Sequence, residues 1–360
     1  MTDIHAVVLA GGGGSRLWPV SRRQRPKQVL RLSAERSLFA ESIARLRAWL
    51  PAERITVATT AALADLLAQA TDLPRSRFLL EPEPKGTAPV LALAAVALQQ
   101  RHPSAVMAVL TSDHAIEAPG RLRELLEAGA DLAAAGHIVT LGIPPTSPDI
   151  GYGYIRRGEP RAHAGAEKAY SVREFREKPD GPTAARYLAE GDTFWNSGMF
   201  LWTPARLMEE IARWMPDLHH LLSQGDVIAR LEEPSFRQAW SDLKPQTIDY
   251  AVMEHAADVV VLDAAGLGWT DVGSWDRVHQ LIAKDDSRNA VLGAQALMRD
   301  ASGNLIVGEG EKRLIVLDSV EGLAVIDSGD VLLICRLDKA GRVRDVVDEL
   351  DRRGLDRYLV

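Results

Sequence analysis

The sequence predicts an α/β fold for most of the chain and a smaller β-rich unit at its C-terminal end. Short apolar runs alternate with longer segments rich in Ala, Leu, Arg and Glu, and 360 residues are too many for one ordinary core. After Lys284-Asp285-Asp286 the composition changes to short β-rich pieces. We therefore expect two domains, residues 1–285 and residues 286–360.

The segment up to about residue 150 has the alternation that is typical of strands joined by crossover helices. Strands are predicted at residues 6–10, 55–58, 105–110 and 138–143. Helices are predicted between them at residues 37–49, 61–69, 88–100 and 121–135. Because ligands bind at the carboxyl ends of strands in such sheets, the residues after the first and third of these strands are candidates for a functional site.

The second half is less regular. Residues 151–279 contain short polar and aromatic motifs, with a helix predicted at residues 204–214, and we interpret this stretch as insertions that complete a site. In the tail, strands are predicted at residues 305–307, 314–317, 323–326 and 331–337, with the turn Ser328-Gly329-Asp330 before the last. A final helix is predicted at residues 342–353.

Composition excludes several classes of protein. Lys and Arg total 42 against 49 Asp and Glu, a net charge of −7, so the chain lacks the basic excess of a nucleic-acid-binding protein. The most apolar stretch, residues 88–98, is far shorter than the ~20 residues of a membrane helix, and the N-terminus lacks a secretion signal. We expect a cytoplasmic protein without membrane association. The single cysteine, Cys335, excludes an internal disulfide and is expected to be a core thiol.

A glycine-rich segment follows the first predicted strand directly. It reads Gly11-Gly12-Gly13-Gly14-Ser15-Arg16, and Lys27 lies a short distance beyond it. Glycines let backbone N–H groups approach a phosphate chain, while Arg16 and Lys27 supply positive charge. The segment matches neither a Walker A loop nor a dinucleotide fingerprint. Taken alone, it could also be a flexible turn with solvated arginines.

This segment, GGGGSRLWPVSRRQRPKQVL, resembles the signature of the sugar-phosphate nucleotidyltransferases, specifically the mannose-1-phosphate guanylyltransferases. Similar motifs follow in order: EPEPKGTAP, TSDHAI, LGIPPTSPDIGYGYI, VREFREKPD, FWNSGMFLW, IDYAVMEH and GWTDVGSW. The resemblance implies a Rossmann-like catalytic domain with a mixed, mostly parallel sheet and a small left-handed β-helix-like C-terminal domain. It also implies transfer of GMP from GTP to α-D-mannose 1-phosphate, which gives GDP-mannose and pyrophosphate.

Two aspartates are candidate metal ligands. Asp113 follows a predicted strand through Thr111-Ser112, and Asp271 lies in the turn GWTDVGSW. A carboxylate beside nucleotide phosphates requires a cation between them, and Mg²⁺ prefers one or two carboxylates together with phosphate oxygens and water. From the residues alone, each aspartate could instead cap a helix, Asp271 that from Ser274 onward. The resemblance implies that both bind the catalytic Mg²⁺.

The resemblance assigns the sugar side as well. It implies that Glu177 and Asn196 bind the sugar hydroxyls, that a backbone group of Gly153 meets the ring edge, and that Lys178 binds the sugar phosphate. From the residues alone, Glu177 is a strand end and Asn196 a turn residue. The expected catalytic residues are thus Arg16, Lys27, Asp113, Lys178 and Asp271. The other expected substrate-binding residues are Gly11, Gly12, Gly14, Ser15, Glu81 and Thr87.

One motif departs from the family pattern. Lys85-Gly86 stands where similar enzymes carry Arg-Asn, so any base contact made by that asparagine side chain is lost.

Two alternatives to the GDP-mannose-forming activity remain: a sister transferase that uses heptose or glucose 1-phosphate or another nucleoside triphosphate, and a catalytically silent nucleotide-sugar sensor. We further expect a homodimer in which the tail buries apolar surface. Because the sequence ends at Val360, without the isomerase domain of some relatives, we expect a single activity.

Overall fold

The computed structural model describes residues 2–32, 36–162, 165, 167–310 and 313–360. Its main sheet has nine strands in the order β3-β2-β1-β4-β9-β6-β10-β8-β7. The strands of the first half are β1 (Ile4–Leu9), β2 (Ile55–Thr60), β3 (Phe78–Glu81), β4 (Val106–Thr111) and β6 (Ile138–Ile143). The others are β7 (Tyr154–Arg161), β8 (Ala169–Arg176), β9 (Thr193–Trp202) and β10 (Val259–Asp263).

The predicted mixed, mostly parallel sheet is confirmed. Strands β3, β2, β1 and β4 are parallel neighbours, as are β6 and β10, whereas β9 and β8 run against the strands beside them. The consecutive apolar residues of β1 are buried on both faces, with Val7 in one core and Val8 in the other. Burial on both faces is why such strands are continuous apolar runs rather than alternating ones.

Helices cover both faces of this sheet. One core contains side chains of α1 (Leu38–Arg47), α2 (Ala61–Gln69), α4 (Pro119–Ala134) and α5 (Gly181–Glu190). The opposite core contains those of α3 (Thr87–Arg101), α6 (Pro204–Trp214), α7 (Pro216–Leu222), α8 (Val227–Arg230) and α9 (Pro234–Asp242). Several helices begin at a residue whose side chain caps them: Ser37 Oγ accepts from Ala40 N at 3.2 Å, and Asp180 Oδ1 accepts from Thr183 N at 2.9 Å.

The C-terminal unit is a coil of short strands, as predicted. Its strands are β12 (Ala290–Leu292), β13 (Gln295–Arg299), β14 (Leu305–Gly308), β15 (Leu314–Asp318), β16 (Leu323–Asp327) and β17 (Leu332–Arg336). Parallel pairs β12–β14–β16 and β13–β15 form the β-helix-like coil, and β17 closes it by antiparallel pairing with β16. Helix α11 (Val343–Arg352) follows. The boundary at residue 285 stays a prediction.

Two sequence interpretations need correction. Residues 151–279, interpreted as insertions, contribute β7, β8, β9 and β10 to the main sheet. β7 and β8 lie at one end of the sheet and carry many charged side chains, which obscures their strand pattern. β9 and β10 are buried and largely apolar, so charge does not explain why these two strands were not predicted. Cys335 is half-buried at the rim of the tail core rather than inside it, and burial raises the pKa of its thiol.

No helix of the described residues is long and apolar enough to cross a membrane.

Candidate active site

The glycine loop, residues 11–14, follows β1 at the carboxyl edge of the sheet. A Cβ added to Gly11, Gly12 or Gly13 would meet no described heavy atom within 4 Å, so this part of the loop borders open space. Gly14, with φ of +64°, is different: a Cβ there would lie 2.7 Å from Lys27 Cβ and 2.8 Å from Ser21 Oγ. Gly14 is therefore required for close packing, and the other three leave the backbone accessible.

Side chains from the following segment hold the carbonyl groups of the glycine loop. Gln28 Nε2 donates to the carbonyl oxygens of Gly11 at 2.6 Å and Gly12 at 3.2 Å, and Ser21 Oγ donates to that of Gly13 at 3.1 Å. In a trans peptide the N–H points away from the carbonyl of the same unit. The N–H groups following these carbonyls therefore point away from Gln28 and Ser21, as binding of an anion requires.

The two predicted metal ligands lie together. Strand β5 (His114–Ile116) pairs antiparallel with β11 (Trp269–Asp271), which places Asp271 opposite His114, next to Asp113. One ligand atom from each of these three residues lies within 4.8 Å of the others. Neither aspartate caps a helix: Asp113 precedes a strand, and Ser274 is the N-cap of α10 (Trp275–Leu281). Two converging carboxylates suit a hard divalent cation.

Lys27 balances this acidic pair. Its Nζ donates to Asp113 Oδ2, and both side chains are about 15% exposed. Burial opposes the charge of each group, but the attraction between them prevails: the pKa of Lys27 is held above its usual value, and that of Asp113 below. Burial lowers the pKa of His114, so its ring is neutral near pH 7. Arg16 approaches from the loop side, with Nη2 3.2 Å from where a Cβ on Gly273 would lie.

The predicted sugar-side residues form a second group. Asn196 N donates to the carbonyl of Gly153 at 2.8 Å, and a Cβ on Gly153 would overlap the Glu177 carboxylate. Lys178, at a φ of +44°, donates from Nζ to Glu177 Oε1. Burial opposes the charge of Lys178, but Glu177 prevails and keeps the pKa of Lys178 above its usual value. Asn196 lies within β9 and is not the turn residue that the isolated sequence suggested.

Sequence reasoning assigned no role to two acidic residues of this group. Asp249 Oδ1 accepts from Asn196 Nδ2 at 2.8 Å, and Glu254 Oε1 accepts from the backbone N of Glu177 at 2.9 Å. Asp249 begins a π-helix, a rare geometry that is frequent at functional sites. Burial and the charge of Glu177 raise the pKa of Asp249 to about 6. The motif IDYAVMEH, which contains both acids, was the available signal.

Aromatic rings join the two groups. The Tyr152 ring lies between Trp195 and Trp269, with centroid distances of 5.0 and 5.3 Å, and Trp269 in turn contacts His114 at 5.1 Å. Tyr152 and Trp195 directly precede the sugar-side residues Gly153 and Asn196, while Trp269 shares its strand with Asp271. The group predicted to bind phosphate, around Asp113 and Asp271, and the group predicted to bind the sugar, around Glu177 and Asn196, therefore adjoin one another across this aromatic cluster. They are called the phosphate side and the sugar side below.

Glu81, the last residue of β3, and Thr87, the first residue of α3, lie at the other end of this edge. The Glu81 side chain is buried, its Oε2 lacks a hydrogen-bond partner in the described part of the chain, and burial raises its pKa to about 7. Thr87 Oγ1 accepts from Ile248 N at 2.8 Å, which ties the start of α3 to the segment that carries Asp249. At Gly86, φ is +87° and a Cβ would overlap the Gln246 carbonyl. The glycine is required by this backbone, which has no space for an asparagine side chain.

Comparisons with known proteins agree with this fold. Residues 5–288 match the family model of nucleotidyl transferases, and residues 297–350 match that of the MannoseP isomerase/GMP-like β-helix domain. The chain therefore belongs to the nucleotidyl transferase family, and it is an enzyme of the mannose-1-phosphate guanylyltransferase type that its motifs predicted.

Individual relatives cover nearly the whole chain. It is 35% identical over 361 residues to a mannose-1-phosphate guanylyltransferase of Escherichia coli, a match that covers 98% of this chain and 75% of the relative. Xanthan biosynthesis protein XanB of Xanthomonas campestris pv. campestris (strain B100) is 36% identical, over 98% and 74%. A crystal structure from Thermus thermophilus, described as mannose-1-phosphate geranyltransferase, superposes with a TM-score of 0.86 at 33% identity, over 97% of this chain and all of that one.

Proposed function

We propose that this site forms GDP-mannose from GTP and α-D-mannose 1-phosphate in one direct step. An oxygen of the sugar phosphate attacks the α-phosphorus of GTP, the bond from that phosphorus to the bridging oxygen breaks, and pyrophosphate leaves. The observation that carries the proposal is the open glycine loop beside the converging carboxylates of Asp113 and Asp271. A sugar phosphate is already ionised, so no protein nucleophile or general base is needed, and catalysis consists of positioning and charge neutralisation.

The residues of the phosphate side bind the triphosphate. The backbone N–H groups of Gly11, Gly12 and Gly14 and the hydroxyl of Ser15 donate to phosphate oxygens, and Arg16 and Lys27 offset their charge. Asp113 and Asp271 are suited to hold Mg²⁺, since the Lys27 ammonium group pairs with Asp113 and offsets only one of the two carboxylate charges. When bound, that ion supplies charge neutralisation on the reacting and leaving phosphates.

The residues of the sugar side hold the acceptor. Glu177 and Asn196 bind hydroxyl groups, because a carboxylate accepts and an amide both donates and accepts hydrogen bonds. Asp249 and Glu254 orient them through the contacts given above. Gly153 leaves space for the ring edge, and the half-exposed Lys178 turns from Glu177 to the sugar phosphate. Glu81, with its unpartnered oxygen, accepts from the N1–H and 2-amino groups of guanine, and Thr87 fixes the loop beside it.

We also propose that the chain is a homodimer. Leu297, Leu314 and Val316 are each more than half exposed, and the register of β13 and β15 places Leu297 beside Val316 on one outer face. A second copy of this face would cover the apolar surface.

GTP with mannose 1-phosphate and Mg²⁺ is expected to release pyrophosphate with a higher kcat/KM than any other pair. The measurement is a matrix of GTP, UTP, dTTP and ATP against mannose, glucose and heptose 1-phosphates, with pyrophosphate as the readout. A preference for UTP or dTTP would contradict the base assignment, and reaction with heptose 1-phosphate alone would contradict the sugar assignment. Binding without any turnover would support the sensor alternative.

GTP binding is expected to strengthen as pH rises through about 7, the pKa of Glu81. Guanine donors bind the ionised carboxylate, and only the fraction that is ionised can accept both hydrogen bonds. The KM for GTP should therefore be about tenfold higher at pH 6 than at pH 8. Glu81→Gln, which cannot titrate, should lose this dependence and bind more weakly at pH 8.

The γ-phosphate of GTP titrates in the same range, so the comparison needs a matched variant. Glu159→Gln removes an exposed glutamate of β7 and should keep the wild-type pH profile. If Glu81→Gln follows the same profile as Glu159→Gln, Glu81 does not contact the base.

A further inference from the structure

Arg22, which follows the glycine loop and is rich in donors, is directed at the C-terminal domain rather than at the nucleotide. Its guanidinium donates to both carboxylate oxygens of Asp330, one at 2.9 Å, and to Ser328 Oγ at 3.2 Å. The same side chain donates from Nε to the carbonyl of Pro19 at 3.0 Å and is only 16% exposed. Asp330 is itself about half exposed, so the pair is only partly buried, but its bidentate geometry makes it more directional than a single ion-pair contact.

This pair is connected to the glycine loop by short contacts. Ser21, the neighbour of Arg22, donates from Oγ to the carbonyl of Gly13, and its backbone N donates to Leu17 O at 2.9 Å. Arg22 and Arg25 exchange backbone hydrogen bonds of 3.0 Å, which close the turn that leads to Lys27 and Gln28. The groups that hold the loop carbonyls therefore lie on both sides of the residue that is bound to Asp330.

The apolar side of the same segment also rests on the C-terminal domain. Leu17, Trp18 and Val20 are buried in one cluster with tail residues, among them Leu333 and Ala340. Hydrogen bonds add to this packing: Trp18 Nε1 donates to Tyr358 O at 2.8 Å, and Arg23 N donates to Leu359 O at 2.9 Å. Another ion pair joins Arg25 to Glu309. The segment from Leu17 to Gln28 thus has the tail as its support.

We propose that the C-terminal domain positions the nucleotide-binding loop, and that Arg22 and Asp330 are positioning residues for GTP. The inference rests on the proposed binding of GTP at the glycine loop. It predicts a selective effect, because Glu177 follows β8, Asn196 lies in β9 and Asp249 lies in the π-helix, none of them in the supported segment. Loosening the support changes the loop and leaves the sugar side intact.

The test compares variants in the full-length enzyme. Asp330→Asn and Arg22→Lys each remove the bidentate pair, since asparagine is uncharged and lysine lacks the planar fork. Asp318→Asn is the matched control: it breaks the pairing of Asp318 with Arg299, which lies entirely within the C-terminal domain. Pyrophosphate release is measured with GTP varied at saturating mannose 1-phosphate, and then the reverse, with a thermal melt for every variant.

Asp330→Asn and Arg22→Lys are expected to raise the KM for GTP about tenfold. A change of this size corresponds to the loss of roughly one charge-assisted hydrogen bond. The KM for mannose 1-phosphate should remain within about twofold of wild type, and Asp318→Asn should change neither KM.

An unchanged KM for GTP in a folded Arg22→Lys or Asp330→Asn protein would overturn the proposal, and so would equal changes in the KM values of both substrates. If both variants fail to fold, Ser328→Ala, which removes one acceptor of the Arg22 guanidinium and keeps the ion pair, must show the same selectivity or the proposal is wrong. Absence of turnover with GTP in the wild type would instead contradict the proposed function.

Discussion

Asp271→Asn is expected to lower kcat by on the order of 10²-fold or more with little loss of stability, since a charge contact made in the transition state is removed. Asp271 is partly buried and pairs through its backbone with His114, so the pairing of β11 does not depend on the carboxylate. Without it, only the Asp113 carboxylate would remain to hold the proposed cation.

Asp113→Asn should reduce turnover to a similar extent but also reduce stability. Lys27 and Asp113 are both about 15% exposed, and removal of the carboxylate leaves a largely buried ammonium group without its partner. The difference between the two variants is therefore a lower melting temperature for Asp113→Asn.

Both variants are measured by pyrophosphate release across a Mg²⁺ titration, with melting curves in parallel. Asp286→Asn, which changes an exposed acid away from the site, is the control and should match wild type. Near-normal turnover of either variant at saturating Mg²⁺ would show that its aspartate is not required to hold the metal.

Removal of residues 286–360 is expected to give aggregated or poorly soluble protein. The tail shares one hydrophobic cluster with the catalytic domain, so truncation would expose Leu17, Trp18 and Trp275, all of which are buried. Large exposed apolar patches of this kind promote association. Any soluble fraction should also bind GTP poorly, because the same residues support the glycine loop.

The measurement is the mass in solution and the turnover of the truncated and full-length chains. The full chain is expected at the mass of a dimer. A soluble, monomeric truncated protein with unchanged kinetics, beside a full-length protein that is also monomeric, would contradict both the structural role of the tail and the homodimer.

Local patterns were enough for much of the fold. The bounds predicted for residues 61–69, 138–143 and 204–214 coincide with α2, β6 and α6. Each of these elements shows its burial in its own sequence, either as a continuous apolar run or as an apolar face with helical spacing. The bounds predicted for the strands at residues 305–337 and for the final helix differ from the observed bounds by only a residue or two. Besides β7 to β10, the strands β3, β5, β11, β12 and β13 were not predicted.

The sequence predicted only some of the residues that lie together in the site. The family resemblance implied that Asp113 and Asp271 share one site, and the β5–β11 pairing brings them together. Asp249 and Glu254 were overlooked because an acidic residue in a helical segment has the same sequence pattern whether it faces solvent or a buried amide. Their contacts with Asn196 and Glu177 depend on how the π-helix packs against β8 and β9.

The sequence by itself determined the alternation of strands and helices, the glycine loop after the first strand and the order of the motifs, because each depends on residues that are close along the chain. Only the tertiary structure decided which groups the arginines after that loop bind. Arg22 and Asp330 are 308 residues apart, yet they form one bidentate pair. Charge and spacing in a sequence show that a side chain needs a partner, but which partner it meets is set by the packing that brings distant segments together.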